Sequence, residues 1–460
     1  MGQNQEYIAA IDIGTTKIAA FLARKTPTGK LDVLAIARTE SHGVRRGMVL
    51  NIEETAADIE KVVNEIRKQS GIHFEEVFVG IAAEHIRCIK CRSYFDRDSG
   101  NDLITQEDVA RLKREVSKTP IDSTEQILAV IPQHYIVDGE SEIKNPVGYL
   151  GKRLEANFNL VVCKKVSAMN IERCLEMKGL KVKALMLEPL ASSEAVITEE
   201  EKEMGVALID IGGGTTDIAV FYNRELKHTA VIPFGGFVIT RDIKEGCGIL
   251  QKHAEELKLK YGSAFGDLAD PNKVVVLNTA PGREQREISF RTLAQIIQAR
   301  MTEIIDMAMF EVENSGFEDK LNGGIVITGG GALLQHLPQL FNYKTGMETH
   351  VGYPGRYLGE NSPEHLNDPI YSTGIGLLLQ GFQWLEDSVQ DMEKTAEKGR
   401  NPVVSTERIN SEISKDEMGE EREPTEAVSD SNRDRKNNFL ESLRKTIGKI
   451  FDDKDDEYLN

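Results

Sequence analysis

No stretch of this 460-residue sequence approaches the roughly 20 consecutive apolar residues that a membrane-crossing helix requires. No signal peptide opens it, and the initial "MGQNQE" lacks the Ser or Thr of a myristoylation signal. Cysteine is scarce. Five residues, an odd number in a long chain, build no disulfide framework and suit a reducing cytoplasm. Cys88 and Cys91 form one "CIKC" spacing with no second Cys or His pair at zinc-ligand distance, in a segment that alternates as a strand does. They read as structural thiols. Basic charge is in deficit too: 56 Lys and Arg against 74 Asp and Glu leave a formal net charge of -18. Such a surface repels a polyanion on average, so nucleic acid is excluded as a general partner. Two nucleotide-binding signatures are also missing. There is no GxxxxGK[ST] phosphate loop, and no GxGxxG follows a strand at the dinucleotide-binding position.

What is present is an alternation of strand-like and helix-like segments in a chain too long for one core, so two or more domains are expected. "YIAAIDIGTTKIAAFLARK" reads as two strands joined by a glycine turn. "TAADIEKVVNEIRKQSG" reads as a helix stopped by Gly71, and "TQEDVARLKREVSKTP" as one opened by a Thr105–Asp108 capping box. "ITRDIKEGCGILQKHAEELKLKYG" reads as a single helix. A later long helix leads into "GGIVITGGGALL", a strand passing through three glycines into a helix. The folded part is expected to end near Leu385. About fifty residues poor in large apolar groups follow, and they cannot bury enough surface to offset ordering entropy.

The chemistry concentrates in glycine turns. "AIDIGTTKIAAF" near the N-terminus is answered by "LIDIGGGTTDIAVF" two hundred residues on. After Gly14 the bare backbone can approach an anion closely, with Thr15 and Thr16 as donors and Lys17 as a charge. Gly212, Gly213 and Gly214 offer a nest of N–H groups, followed by Thr215 and Thr216. Asp12 and Asp210 close the strands just before the turns, where a carboxylate could hold the hydration shell of Mg²⁺. Gly329, Gly330 and Gly331 make a third bend, where a purine and ribose could lie against backbone. Aligned threonine to threonine, Lys17 of the first copy is replaced by Asp217 of the second. Lys17 is therefore expected on phosphate, and Asp217 mainly in its turn.

"DIGTTK", "DIGGGTTD" and "ITGGGALL" resemble the two phosphate motifs and the adenosine motif of the actin, Hsp70 and sugar-kinase ATPase superfamily, from about Tyr7 to Leu385. Within it, "SHGVRRGMVLNIEETAADIEKVV", "IPFGGFVITRDI" and the terminal helix resemble the FtsA family of bacterial cell-division proteins. The resemblance implies an α/β, actin-like ATPase fold: two facing α/β domains, each with an inserted subdomain, then a disordered linker and a C-terminal amphipathic helix. Residues 1–83 and 166–195 would form the first domain and 84–165 its insertion, while 196–228 with 305–385 would form the second domain and 229–304 its insertion. The linker would span 386–436 and the helix 437–452. It further implies that ATP and Mg²⁺ are clamped between the two phosphate motifs, with Asp12 and Asp210 on the metal. "AEELKLKYGSA" is similar to an MreB segment that touches the nucleoside, which points to Glu255 and Lys258. A solvated helix face with i,i+3 charges is the other reading. "LEPLASSEAV" resembles an MreB segment whose Glu positions the attacking water, which makes Glu188 the catalytic candidate. A helix-starting Glu beside Pro189 is its structural alternative.

In "NNFLESLRKTIGKIFDD" the residues Phe439, Leu440, Leu443, Ile447, Ile450 and Phe451 share one helical face, with Arg444, Lys445 and Lys449 beside it. An apolar face with basic neighbours on a long tether is the pattern of a helix lying in a lipid interface; a helix docked on its own globular body and one held in a partner's groove are the other readings. Full burial of six such side chains would contribute on the order of 10 kcal/mol, reduced by partial burial and by helix ordering. One copy binds reversibly; many copies on a polymer bind through effective concentration. The family further implies self-association into filaments and capture of the FtsZ C-terminal peptide by residues 229–304. A sugar-type kinase and a pilus-assembly actin-like ATPase are the alternatives on this fold. An Hsp70-type chaperone would need a β-rich peptide-binding domain for which the acidic tail leaves no room.

Overall fold

A computed structural model of the protein describes residues 7–83, 85–98, 101–277 and 286–398. The proposed membrane face, Phe439 to Phe451, lies outside the described residues.

The chain opens with β1 (Tyr7–Ile13), β2 (Lys17–Lys25), β3 (Leu31–Glu40), and the short pair β4 (Val44–Arg45) and β5 (Met48–Val49). Helix α1 (Ile52–Ser70) starts on Asn51, whose side chain accepts from the Glu54 N–H, and stops at Gly71 in the left-handed region. Strand β6 (Glu76–Ile81) follows. Next come β7 (Arg87–Asp96), α2 (Gln106–Val116), β8 (Glu125–Val137), β9 (Glu140–Ile143) and β10 (Arg153–Lys164). The Thr105–Asp108 capping box forms as the sequence predicts. The chain returns through α3 (Lys165–Glu176), β11 (Lys181–Leu187), α4 (Glu188–Val196) and α5 (Glu199–Met204).

The second half repeats the pattern with β12 (Val206–Ile211), β13 (Thr216–Tyr222), β14 (Glu225–Ile232), α6 (Gly236–Cys247) and α7 (Gln251–Tyr261). It ends with β15 (Val274–Leu277), β16 (Arg286–Ser289), α8 (Phe290–Ser315), β17 (Ile325–Thr328), α9 (Leu337–Thr345), β18 (Thr349–Val351) and α10 (Ser372–Lys398). One five-stranded sheet runs β3-β2-β1-β6-β11 and another runs β14-β13-β12-β17-β18. In each, a three-stranded antiparallel meander is extended by two parallel strands. The duplicated motif is thus the visible tip of a duplicated sheet. A four-stranded sheet, β7-β10-β8-β9, is inserted after β6 and packs its own apolar core under α2.

Both large sheets are buried on two faces, so their strands read as near-continuous apolar runs. Helices α1 and α3 cover one face of the first sheet. On its other face α4 and α10 pack between the two sheets, joining Ile8 and Phe21 to Leu208 and Phe221 in one core. Small residues permit this. A Cβ on Gly376 of α10 would overlap the Ala191 carbonyl of α4, and Gly374 lies against Phe21.

Three sequence expectations change. The single helix expected over Ile239–Gly262 is two, because Gly248 adopts a left-handed φ of 60° that ends α6 before α7 begins. The triple glycine leads first into one 3₁₀ turn over Gly330–Leu333, and α9 starts only at Leu337. The linker expected from 386 is helical through Lys398 as the continuation of α10. Residues 386–398 contain no Gly or Pro to stop a helix already anchored by its first turns.

Helix propensity alone predicts that Gly376→Ala stabilises α10 by about 0.5–1 kcal/mol. The close approach to Ala191 predicts the opposite sign, a loss of about 1–3 kcal/mol, measurable by urea denaturation.

Candidate functional site

The two meanders place their first turns on either side of a cavity of about 390 Å³. The turns have equal length. Gly14 N–H donates to the Lys17 carbonyl at 3.0 Å, and Gly212 N–H donates to the Thr215 carbonyl at 2.9 Å. Strand register confirms the match: Asp12 lies opposite Ala19, and Asp210 lies opposite Asp217. Thr15 and Thr16 therefore correspond to Gly213 and Gly214, Lys17 to Thr215, and Ala19 to Asp217. The threonine-to-threonine alignment is corrected here. Hydrogen-bond closure sets the count from the first glycine, and the two Thr pairs occupy different places.

This offset has a steric purpose. A Cβ on Gly213 would collide with the Thr16 side chain, and one on Gly214 would collide with Thr15. The turns meet head-on about a local two-fold, with the threonines of one filling the space left by the glycines of the other. The Gly47 N–H, in the turn between β4 and β5, donates to Thr15 Oγ1 at 3.0 Å and seats that turn from behind.

Four of the five carboxylates that line the cavity cluster together: Asp12, Glu188, Asp210 and Asp217. Glu188 opens α4 directly after β11, and Gly80 of β6 makes room for it, since a Cβ there would lie 2.8 Å from Glu188 Oε1. Asp210 accepts from Ser192 Oγ at 2.5 Å and from Thr373 Oγ1 at 3.3 Å. Asp217 Oδ1 is buried with no hydrogen-bond partner. Burial raises the pKa of Glu188 well above the usual range, reinforced by Asp12, Asp217 and Asp210. Burial also raises Asp217, with Asp210 and Asp12 adding to the effect, and raises Asp210. Lys17 answers this negative charge: its Nζ donates to Asp12 Oδ2 at 3.1 Å and to the Ile370 carbonyl at 2.7 Å.

At the other end, Lys258 is 9 % exposed and donates to the Gly236 carbonyl at 2.9 Å and to Thr240 Oγ1 at 2.7 Å. It pairs with Glu255 at 2.8 Å, and burial lowers its pKa. Both residues line the cavity, so the solvated-face reading does not describe Lys258. Gly329, with φ 79°, backs directly onto Asp210, and Gly331 packs on Ile211.

Of the predicted cavity residues, Thr216 alone stands apart. It is fully buried, and its hydroxyl donates to the Phe234 carbonyl at 2.8 Å. Gly14, Thr15, Thr16, Lys17, Gly212, Gly213, Gly214, Thr215, Gly330 and the residues named above all line the cavity. Sequence reasoning missed Asp217, Arg38, Phe237, Leu333 and Thr373. Asp217 was legible: equal spacing from the first glycine of each turn places it opposite Asp210. Phe237 and Leu333 lie within quoted motifs, on α6 and on the 3₁₀ turn after the triple glycine, while Arg38 on β3 and Thr373 on α10 are distant from them in sequence. Among the described residues no three His, Cys, Asp or Glu side chains converge as a ready metal site.

The FtsA cell-division protein family model matches residues 207–376, and the model of the SHS2 domain inserted in FtsA matches 83–162. The FtsA of Pseudomonas aeruginosa is 34% identical over 409 residues, covering 87% of this chain and 96% of that protein. This chain belongs to the FtsA family. The FtsA of Neisseria meningitidis is 35% identical over 379 residues, 82% of this chain and 91% of its own length. The structure of a PilM–PilN type IV pilus biogenesis complex superposes with a TM-score of 0.57 at 16% identity, covering 81% of this chain and 98% of that one. That likeness shows the shared actin-like fold of FtsA and PilM.

The raised carboxyl pKa values carry a pH dependence with a definite sign. Between its ordinary value of 3.8 and its folded value, Asp217 binds more proton in the folded state, so stability falls as pH rises through that window. For Glu188 the window opens at 4.5. Ligand-free Asp217→Asn should melt higher than the parent at pH 8, by about 1 °C per kcal/mol recovered in a folded body of this size, with the gap closing toward pH 4. An equal gap at both pH values would contradict this assignment.

Proposed function

We propose that this FtsA-family chain is an ATP-binding, polymerising adaptor of bacterial cell division that holds FtsZ filaments at the inner face of the cytoplasmic membrane. The observation that carries the nucleotide reading is the pair of equal turns facing each other across one cavity, whose lining also holds Lys17 and a cluster of four carboxylates. A phosphate chain suits the N–H groups and Lys17, and Mg²⁺ suits an acidic cluster with an unpartnered Asp217 oxygen. Since no three protein ligands converge among the described residues, the ion would keep waters and phosphate oxygens, as Mg²⁺ commonly does. Bound there, it would neutralise phosphate charge and screen the carboxylates from one another.

The chain's own residues then divide the work. Lys17 exchanges Asp12 and the Ile370 carbonyl for a phosphate oxygen. Asp12 and Asp210 would hold the cation through water, with the unpartnered Asp217 Oδ1 as a further acceptor for that water. Gly329 to Gly331 form the backbone wall for the nucleoside, with Glu255 and Lys258 at its edge. Glu188, held in place by the gap at Gly80, orients the attacking water. In the ligand-free protein burial and its carboxylate neighbours raise its pKa, and a bound cation would lower it again. Residues 229–304 would receive the FtsZ C-terminal peptide, and Phe439 to Phe451 would enter the lipid interface. Membership of the FtsA family supports both assignments.

Lys17→Ala should weaken ATP binding at least tenfold by calorimetry, at a loss of about 1.5–3 kcal/mol for one charge-assisted contact. Glu188→Gln should leave affinity within about threefold and suppress turnover. Co-sedimentation with anionic vesicles, with and without ATP, tests the adaptor reading. The intact chain should pellet, more strongly with ATP, and a chain cut before Lys436 should stay in the supernatant. Equal pelleting of the two would exclude the C-terminal anchor.

A further inference from the structure

The inserted sheet β7–β10 belongs by connectivity to the first half of the molecule, since β6 leads into it and β10 runs directly into α3. Three hydrogen bonds nevertheless tie it to the second half. Asn159 Nδ2 on β10 donates to the Leu226 and Lys227 carbonyls of β14, each at 3.1 Å. Gln133 Nε2 on β8 donates to the same Leu226 carbonyl at 2.7 Å. A carbonyl oxygen has two lone pairs and can accept both.

Irregular pairing on both sides creates this meeting. Along β14 the register steps from Val220 opposite His228 to Phe221 opposite Leu226, which leaves Lys227 as a bulged residue. Along β8 it steps from Phe158 opposite Pro132 to Asn157 opposite His134, which leaves Gln133 as the extra residue. A bulge breaks the ladder locally and re-aims the groups it carries. Here one bulge turns carbonyls outward and the other turns an amide toward them. β14 is the edge of its sheet, with no further strand to take those carbonyls. Asn159 is 2 % exposed, so its amide without these acceptors would be a buried unsatisfied donor.

We infer that Asn159 and Gln133 form a latch through which the inserted sheet follows movement of the second half against the first, so that ligand in the cavity is registered on the inserted subdomain. The cavity wall is shared by both halves, and a ligand gripping both turns biases how they close. The second turn leads into β13, and β13 pairs along its length with β14. When β14 shifts, the inserted sheet moves with it or three hydrogen bonds break. That the ligand is ATP rests on the function proposed above. The latch itself rests on the two bulges.

Hydrogen–deuterium exchange on the full chain tests it, comparing the parent with Gln133→Leu and with Gln133→Leu/Asn159→Leu, each with and without ATP–Mg²⁺. In the parent, ATP should slow exchange at both cavity turns and also, on the order of fivefold to tenfold, in 87–96 and 153–164, which do not line the cavity. In the latch variants protection at the turns should persist while protection of the inserted sheet is lost. Gln133→Leu alone should show a partial loss, which keeps the test usable if the double variant folds poorly. Protection of the sheet that survives in the variants, or turns protected in the parent without any effect on the sheet, would overturn the latch. If ATP protects neither turn, the nucleotide reading fails. The latch is then judged without ligand: exchange in 225–232 must rise in the variants, and unchanged exchange there overturns it.

Discussion

Two turns that have to touch without colliding constrain most of this fold. The duplicated sheets approach each other at their first hairpins, and contact is possible only because Thr15 and Thr16 meet Gly214 and Gly213. Side chains at all four places would push the halves apart, and glycine at all four would leave a gap and two looser turns. The division of bulk between the copies explains why the motif is repeated yet not identical. It also places both turns in the lining of one cavity.

Closeness creates an electrostatic problem at the same place. The strand ends that aim the turns also bring Asp12, Asp210 and Asp217 together, and α4 adds Glu188. Burial and mutual repulsion raise the pKa values of three of these carboxyls, and Lys17 is the nearby counter-charge bonded to Asp12. An arrangement of this kind is unfavourable to the ligand-free protein and favourable to a cation-bearing anion. Binding sites are commonly held in such a strained charge state, with the stability supplied elsewhere. Here it is supplied by the core around α4 and α10, where Gly376 lets two helices approach to backbone contact.

The inserted sheet shows the same economy of means. It has its own core under α2, yet its side chains Asn159 and Gln133 close the open edge of β14. An edge strand left uncovered invites unintended pairing, so the latch protects that edge as well as joining the halves.

Local chemistry was readable from residues alone. The Thr105–Asp108 box, the Gly71 stop and the two apolar hairpins depend on neighbours within a few positions, and they form as predicted. The glycine turns line one cavity, as a repeated motif implies, and Glu188, Glu255 and Lys258, to which only the resemblance to MreB pointed, line it with them. Register was not readable. Which turn residue opposes which depends on where the ladder closes, and that decided Lys17 against Thr215, withdrew Thr216 and admitted Asp217. The break at Gly248 and the helical run to Lys398 are backbone outcomes: a glycine inside an apolar period takes a left-handed φ, and a helix already nucleated continues through a polar run without Gly or Pro. Sequence by itself determined most of the elements, the duplication and the glycine-rich character of the turns, since these follow from local sterics and periodicity. Only the tertiary structure decided the pairing of turns, the carboxylate cluster and the Asn159 latch, because each arises between residues that chain proximity never brings together.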